Sequence, residues 1–316
     1  RSLGRSAGFP GRFVSPGLDL HAVMASLGVP DPDTIVPVAA GFGDSANWRV
    51  ETGGTGGPVY ALRLFAEGDA RTFRRERAAM DAVRDRGVPV PVVHATTEVE
   101  GRAVMLLDWR PGRTILEELM RRPDLAWSLG VVMGRAHGAL HLRAIASGFR
   151  EHGRDWIAWA GPEEVGLQER VRHASARNAR PATVLHLDFH PANVLVEAGR
   201  VTGIIDWANA GVGDVRADVA RTASILRFAP VPPGAPRART LRLRRLFRRG
   251  WRSGHRRVVG HLPEMDLFDT WALAVMLRDL GQKFDGDGRA SAGLSAADLI
   301  PIQDALARRK ARLGIE

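Results

Sequence analysis

The segment from His186 to Asp218, HLDFHPANVLVEAGRVTGIIDWANAGVGDVRAD, constrains the fold more than any other stretch of the chain. Two short β-type runs, Val194-Leu195-Val196 and Val201 to Ile205, flank Glu197-Ala198-Gly199-Arg200, the pattern of a hairpin with a glycine-containing turn. In an antiparallel pair the start of the first strand lies beside the end of the second, so Asn193 and Asp206 are expected to converge although far apart in sequence. Two hard oxygen ligands at one point suit Mg²⁺, which binds few protein groups and completes its shell with water and phosphate oxygens.

Upstream of the hairpin, Asp188 ends the apolar segment Val184 to Leu187, and Asn193 follows at the D-x-x-x-x-N spacing of a kinase catalytic loop. In that loop the Asp takes the acceptor hydroxyl's proton and the Asn holds a metal. The words His186-Leu187-Asp188-Phe189-His190-Pro191-Ala192-Asn193, Ile204-Ile205-Asp206-Trp207 and Gly213-Asp214-Val215-Arg216-Ala217-Asp218 together resemble the aminoglycoside/macrolide phosphotransferase family. The resemblance implies an α+β, two-lobed, protein-kinase-like fold, with an N-terminal antiparallel sheet carrying one helix and a mainly helical C-terminal lobe. It also implies transfer of the γ-phosphate of ATP or GTP to a small-molecule hydroxyl, with Asp188 as catalytic base and Asn193 and Asp206 on Mg²⁺. His186, His190, Asp214 and Asp218 are expected to be structural around the site.

Length suits one enzyme of two lobes, since 316 residues exceed what a single core usually serves. The expected division is a loose tail over residues 1–20, a nucleotide-binding lobe over 21–108 and a catalytic and substrate-binding lobe over 109–316. The chain has no cysteine, which excludes disulfides and thiolate metal sites. No run of apolar residues is long enough to span a bilayer, and Arg1 to Gly17 lacks the apolar core of a signal peptide, so a cytoplasmic protein is expected.

A net charge of +10 suggests nucleic acid at first, but its location changes the inference. Arg237 to Arg257 holds ten arginines and no acidic residue, so this one stretch equals the whole excess. Leu243, Leu246, Phe247 and Trp251 recur at helical spacing, which predicts an amphipathic helix on the C-terminal lobe with its arginine face in water. The alternative is a surface for nucleic acid, anionic membrane or an acidic partner. The solvated-face reading is preferred because arginine outnumbers lysine throughout, with lysine only at Lys283 and Lys310.

In the N-terminal lobe, Val59 to Phe65 reads as a strand after the turn Gly53-Gly54-Thr55-Gly56-Gly57, with Ala61, Arg63 and Phe65 on one face. By the resemblance, Arg63 binds the α- and β-phosphates and Ala61 packs on the adenine; protein kinases have Lys where this chain has Arg. The next helix, about Ala70 to Arg86, puts Glu76 on the stripe of Phe73, Met80 and Val83. A carboxylate on an apolar stripe requires a partner, and Arg63 is the expected one. Gly41, Gly43 and Ser45 should form the loop over the phosphates. Asp108 and Arg110, in Asp108-Trp109-Arg110-Pro111-Gly112, resemble the family's adenine-binding hinge.

His137 and His141, at i and i+4, could bind zinc, but no acidic third ligand is evident, and their G-x-x-H-x-x-L-H word resembles a structural helix of the family. They are read as core or capping residues. For the acceptor, two regions are candidates: one contains Asp155, Trp156 and Trp159, the other Glu264, Asp266 and Asp269, with Asp285 and Asp287 beyond. A polycationic aminoglycoside needs clustered carboxylates and a macrolide needs an apolar wall. Metabolite acceptors such as choline, homoserine or a sugar fit the motifs equally.

Overall fold

A computed structural model describes residues 18–29, 31–38, 45–143, 149–178, 180–230, 235–282 and 295–315. They divide into two compact units. One comprises the described residues up to Arg77 with Pro91–Arg110, and the other Ala78–Val90 with the described residues from Pro111 on.

The first unit opens with α1 (Leu20–Ser26), whose N-terminal amides are capped by Asp19. Five strands follow: β1 (Thr34–Val38), β2 (Ala46–Glu51), β3 (Val59–Leu64), β4 (Val93–Val99) and β5 (Arg102–Asp108). They form one antiparallel sheet in the order β1-β2-β3-β5-β4. Alternation divides β3 between two environments. Leu62 and Leu64 join Trp48, Val50, Val104, Leu106 and the α1 residues Val23 and Met24 in a core, whereas Ala61 and Arg63 occupy the other face. Helix α2 (Ala70–Arg84) follows β3 and belongs to this unit up to Arg77, with Glu76 buried; its remainder, with Met80 and Val83 buried as the stripe predicted, belongs to the second unit.

The second unit is mainly helical. It contains β6 (Arg113–Thr114), α3 (Ile115–Arg121), α4 (Ala126–Arg143), α5 (Val165–Ala176), β7 (Thr183–Leu185), β8 (Val194–Glu197), β9 (Arg200–Ile204), β10 (Gly211–Gly213), α6 (Val215–Phe228), α7 (Arg237–Val259), α8 (Met265–Gly281) and α9 (Ala296–Leu313). Strands β8 and β9 form the expected hairpin, with Ala198 and Gly199 both at positive φ in its turn. The large core gathers Trp156, Leu167, Val171, Leu185, Phe268, Trp271 and Val275.

Helix α7 buries Phe247, Trp251 and His255, but Leu246 is exposed, so the stripe turns away from that leucine. A feature absent from the sequence reading explains how α7 lies against α4. Gly130 and Gly134 of α4 face the backbone carbonyls of Phe247 and Trp251, while Gly250 and Gly254 of α7 face those of Trp127 and Val131. A β-carbon at any of the four would overlap the opposing carbonyl, so only glycine permits this spacing. No described helix is long and apolar enough to cross a membrane.

Candidate functional site

The β8–β9 ladder builds the centre of the second unit's site. Its register pairs Val194 with Ile204, and the ladder continues as Ile205 N donates to Asn193 O at 3.0 Å. Asn193 and the residue after Ile205, Asp206, therefore sit at the same end of the hairpin. Asn193 is buried and its Nδ2 donates to Asp188 O at 3.0 Å, which leaves the amide oxygen as the atom suited to a cation. With the Asp206 carboxylate this forms a hard-oxygen donor set that fits Mg²⁺.

His186 ties the two halves of this centre together. Its Nδ1 accepts from Asp188 N at 3.3 Å and its Nε2 faces Ile205 O at 3.1 Å, an arrangement that calls for the neutral ring protonated at Nε2. Burial lowers its pKa, consistent with that neutral form. Leu187 and Asp206, which flank these contacts, both take left-handed backbone angles, φ +61° and +64°. Non-glycine residues adopt them only where surrounding contacts hold them. His190 accepts from Ala192 N through Nδ1, and its Nε2 stands 3.7 Å from Asp188 Oδ1.

Asp218 holds the loop from behind. Its Oδ2 accepts from His186 N and its Oδ1 from Leu187 N, both at 2.8 Å. The carboxylate also meets His141 Nε2 at 3.1 Å and His137 Nε2 at 3.3 Å, and His141 Nδ1 lies 3.0 Å from His255 Nε2. Thus an acidic group does face the two helix histidines, contrary to the expectation from sequence. The backbone amides and His141 occupy its oxygens as a hydrogen-bonded network. Burial lowers the pKa of His137 to about 4 and of His255 to about 2, so both rings are neutral at neutral pH. Burial opposes the charge of Asp218, but its histidine neighbours hold the pKa well below the usual carboxylate range. Asp214 caps α6 and pairs with Arg216 at 2.7 Å, and it accepts from Asn178 at 2.8 Å.

In the first unit, Arg63 Nη2 lies 3.0 Å from Glu76 Oε2, with Glu76 buried and Arg63 partly buried. Ala61 shares the Arg63 face of β3 and pairs in register with Leu107. Asp108 accepts from Val92 N and pairs with Arg110 at 3.1 Å, while Trp109 N donates to Val59 O at 3.1 Å. These contacts brace the hinge-like segment within its own unit. Ser45 directly precedes β2; Gly41 and Gly43 lie outside the described residues.

The residues expected to bind the acceptor separate. Asp155 caps the following turn through Ala158 N at 3.2 Å. Trp156 is buried in the core and donates to Val212 O at 3.1 Å. Glu264 pairs with Arg216 and Arg177, and Asp266 and Asp269 both pair with Arg309. Glu264 and Asp266 line a cavity of about 560 Å³ that contains none of Asp188, Asn193 or Asp206. Asp285 and Asp287 lie outside the described residues.

Trp159 is linked to the surroundings of Asp188 through Asp279 and Arg221. Its Nε1 donates to Asp279 Oδ1 at 2.8 Å, and the guanidinium carbons of Arg154 and Arg221 stand 4.1 and 4.7 Å from its ring centre. Arg221 is buried, pairs with Asp279 at 3.0 Å and reaches Leu187 O, next to Asp188. Burial raises the pKa of Asp279, Arg221 and Arg154 lower it, and Asp188 is close enough to raise it further. Sequence reasoning missed Arg154, Arg221 and Asp279 because they stand on three elements with no shared motif.

The folds of known phosphotransferases resemble this one. Aminoglycoside phosphotransferase APH(4)-Ia superposes over 93% of this chain and 98% of its own with a TM-score of 0.61 at 18% identity. Amicoumacin kinase hAmiN, solved in complex with AMP-PNP, Ca²⁺ and Ami, covers 89% of each chain with a TM-score of 0.58 at 14% identity. Homoserine kinase of Methylobacillus flagellatus is 28% identical over 166 residues, 47% of this chain and 50% of that protein, so the match spans about half the length of this relative. The model of the phosphotransferase enzyme family, APH, matches residues 34–257, and the chain belongs to that family.

Proposed function

We propose that this protein is a Mg²⁺-dependent phosphotransferase that moves the γ-phosphate of ATP or GTP to a hydroxyl of a small molecule. One observation carries the reading. Asn193 Nδ2 contacts Asp188 O directly, and His186 bridges Asp188 N to the carbonyl of Ile205, the residue before Asp206. Asp206 and Asn193 would hold Mg²⁺, which when bound neutralises charge on the donor's phosphates. Arg63, oriented by Glu76, pairs with the α- and β-phosphates, and Ala61 lies under the base. Asp188 accepts the proton of the acceptor hydroxyl and orients its oxygen for attack. Positioning and charge supply most of the acceleration.

The surroundings of Asp188 favour a metabolite acceptor over a polycationic drug. A polycation needs several uncommitted carboxylates, yet Asp279 is engaged by Arg221 and Trp159, and Arg154 and Arg221 place positive charge beside it. An acceptor that is neutral or carries a carboxylate, as homoserine does, fits this wall by charge.

Two measurements test the proposal separately. Asp206→Asn should weaken Mg-dependent stabilisation of the protein by ATP or GTP while the fold survives; equal thermal shifts in variant and parent would remove the metal role. Nucleotide consumption with aminoglycosides, macrolides, choline, homoserine and sugars then tests the acceptor. Highest kcat/KM on an aminoglycoside would overturn the charge argument and leave the phosphotransferase reading intact.

A further inference from the structure

The arginines of α7 do not form one uniform solvated face. Arg244 is spent on the carbonyl oxygens of Ala229 and Pro230, whereas Arg248 and Arg252, one turn apart, turn toward α6, α8 and α9. There they line a small cavity of about 30 Å³, open to solvent, with Arg227 of α6, Asp269 of α8 and Arg309 of α9. Four guanidiniums therefore face one carboxylate. Asp269 is matched by Arg309 at 3.1 Å, and Arg309 also holds Asp266 at 2.8 Å. Among the described residues Arg227, Arg248 and Arg252 form no ion pair.

Burial and then the neighbouring arginines lower the pKa of both Arg227 and Arg248. Like charges from three helices thus converge without matching carboxylates, a costly arrangement unless an anion completes it. Planar guanidinium forks match the oxygens of a tetrahedral oxyanion, and three donors from different directions favour it over a planar carboxylate.

We propose that this cavity binds a phosphate group, either inorganic phosphate or the phosphate of a small monoester, and that the bound anion fastens α7 to α6 and α9. The site is separate from the donor and acceptor positions assigned above. It accounts for part of the arginine excess that the phosphotransfer reading leaves unexplained.

The test is titration calorimetry with inorganic phosphate and with glycerol 3-phosphate, at ionic strength held constant with chloride. The full chain should bind phosphate saturably, with affinity reduced at least tenfold in Arg248→Gln/Arg252→Gln and unchanged in Arg245→Gln/Arg249→Gln, two exposed positions outside the cavity. Should the double variant unfold, Arg252→Gln alone, an exposed position, should still weaken binding. Asp269→Asn should tighten binding, because it removes the one competing carboxylate. Tighter binding of glycerol 3-phosphate identifies a monoester ligand, and tighter inorganic phosphate identifies the free ion. Lack of saturable binding, or equal affinity in parent and double variant, overturns the site. Oligonucleotide binding through the same arginines with a steep salt dependence would replace it with a nucleic-acid surface.

Discussion

Carboxylates in the segment from His186 to Asp218 and those along α8 are held by different partners. In the catalytic segment Asp218 is satisfied chiefly by backbone amides and Asp188 keeps 24% side-chain exposure beside a 3.7 Å contact to His190, with Asp214, paired with Arg216, the exception near its end. On and beside α8, Glu264, Asp266, Asp269 and Asp279 are each taken by an arginine. Amide donors carry no net charge, so the segment retains the negative potential that metal binding and proton abstraction require. Guanidiniums cancel it. On the proposed reading the segment from His186 to Asp218 carries the chemistry, and the helical region selects ligands by the positive charge it adds.

The largest expected effect breaks the catalytic side of this contrast. Asp188→Ala should lower turnover by about 10²- to 10⁴-fold, the scale of losing a general base, with nucleotide affinity nearly unchanged. Steady-state kinetics beside nucleotide titration checks it; turnover like the parent's would take Asp188 out of the reaction.

Next in size is the amide-held carboxylate itself. Asp218→Ala leaves two backbone donors and His141 without their acceptor inside the core, so urea unfolding should show a loss of about 3–5 kcal/mol. A loss below about 1 kcal/mol would mean that the loop is held by other contacts.

A third prediction uses pH. His137 and His255 titrate near 6.5 when unfolded but are lowered to about 4 and about 2 in the folded protein, so on acidification the unfolded chain takes up protons first. Stability should therefore decline as pH falls below about 6.5, by about 1.4 kcal/mol per unit for each ring, down to the folded pKa. Asp218, depressed when folded, adds its own loss below the ordinary carboxylate range. A melting temperature constant from pH 7 to 5 would contradict the buried neutral cluster.

The catalytic hairpin and the Arg63–Glu76 pair were legible because each depends on short-range pattern: a turn between two strands, or a charge on an apolar stripe. Acceptor residues were not. Arg154, Arg221 and Asp279 meet around Trp159 only through the packing of α6 and α8, and isolated tryptophans and aspartates gave no period to read. Likewise the i, i+4 histidines were visible, but Asp218 and His255 reach them from α6 and α7. The glycines of α4 and α7 recur at four-residue spacing, a pattern that marks close helix approach.

The smallest expected effect separates the arginines of α7. Arg245 and Arg249 are exposed and contribute nothing to the cavity, so Arg245→Gln/Arg249→Gln should change stability by no more than about 0.5 kcal/mol. Arg244→Gln should cost more because its guanidinium satisfies two carbonyls. Equal effects from both variants would erase the distinction.

The β8–β9 ladder also sets how far the chain tolerates changes in its own length. Residues added between Ala198 and Gly199 lengthen a turn remote from the ladder's open end, where Asn193 and Ile205 are joined. Between Leu195 and Val196 the ladder already carries a register shift that leaves Thr202 of β9 out of the pairing, and the pairing of Val194 with Ile204 beyond it keeps Asn193 and Asp206 at one end. A change in the length of the hairpin tip therefore leaves the donor set unaltered, and the bulge beneath it absorbs an unequal count of residues in the two strands.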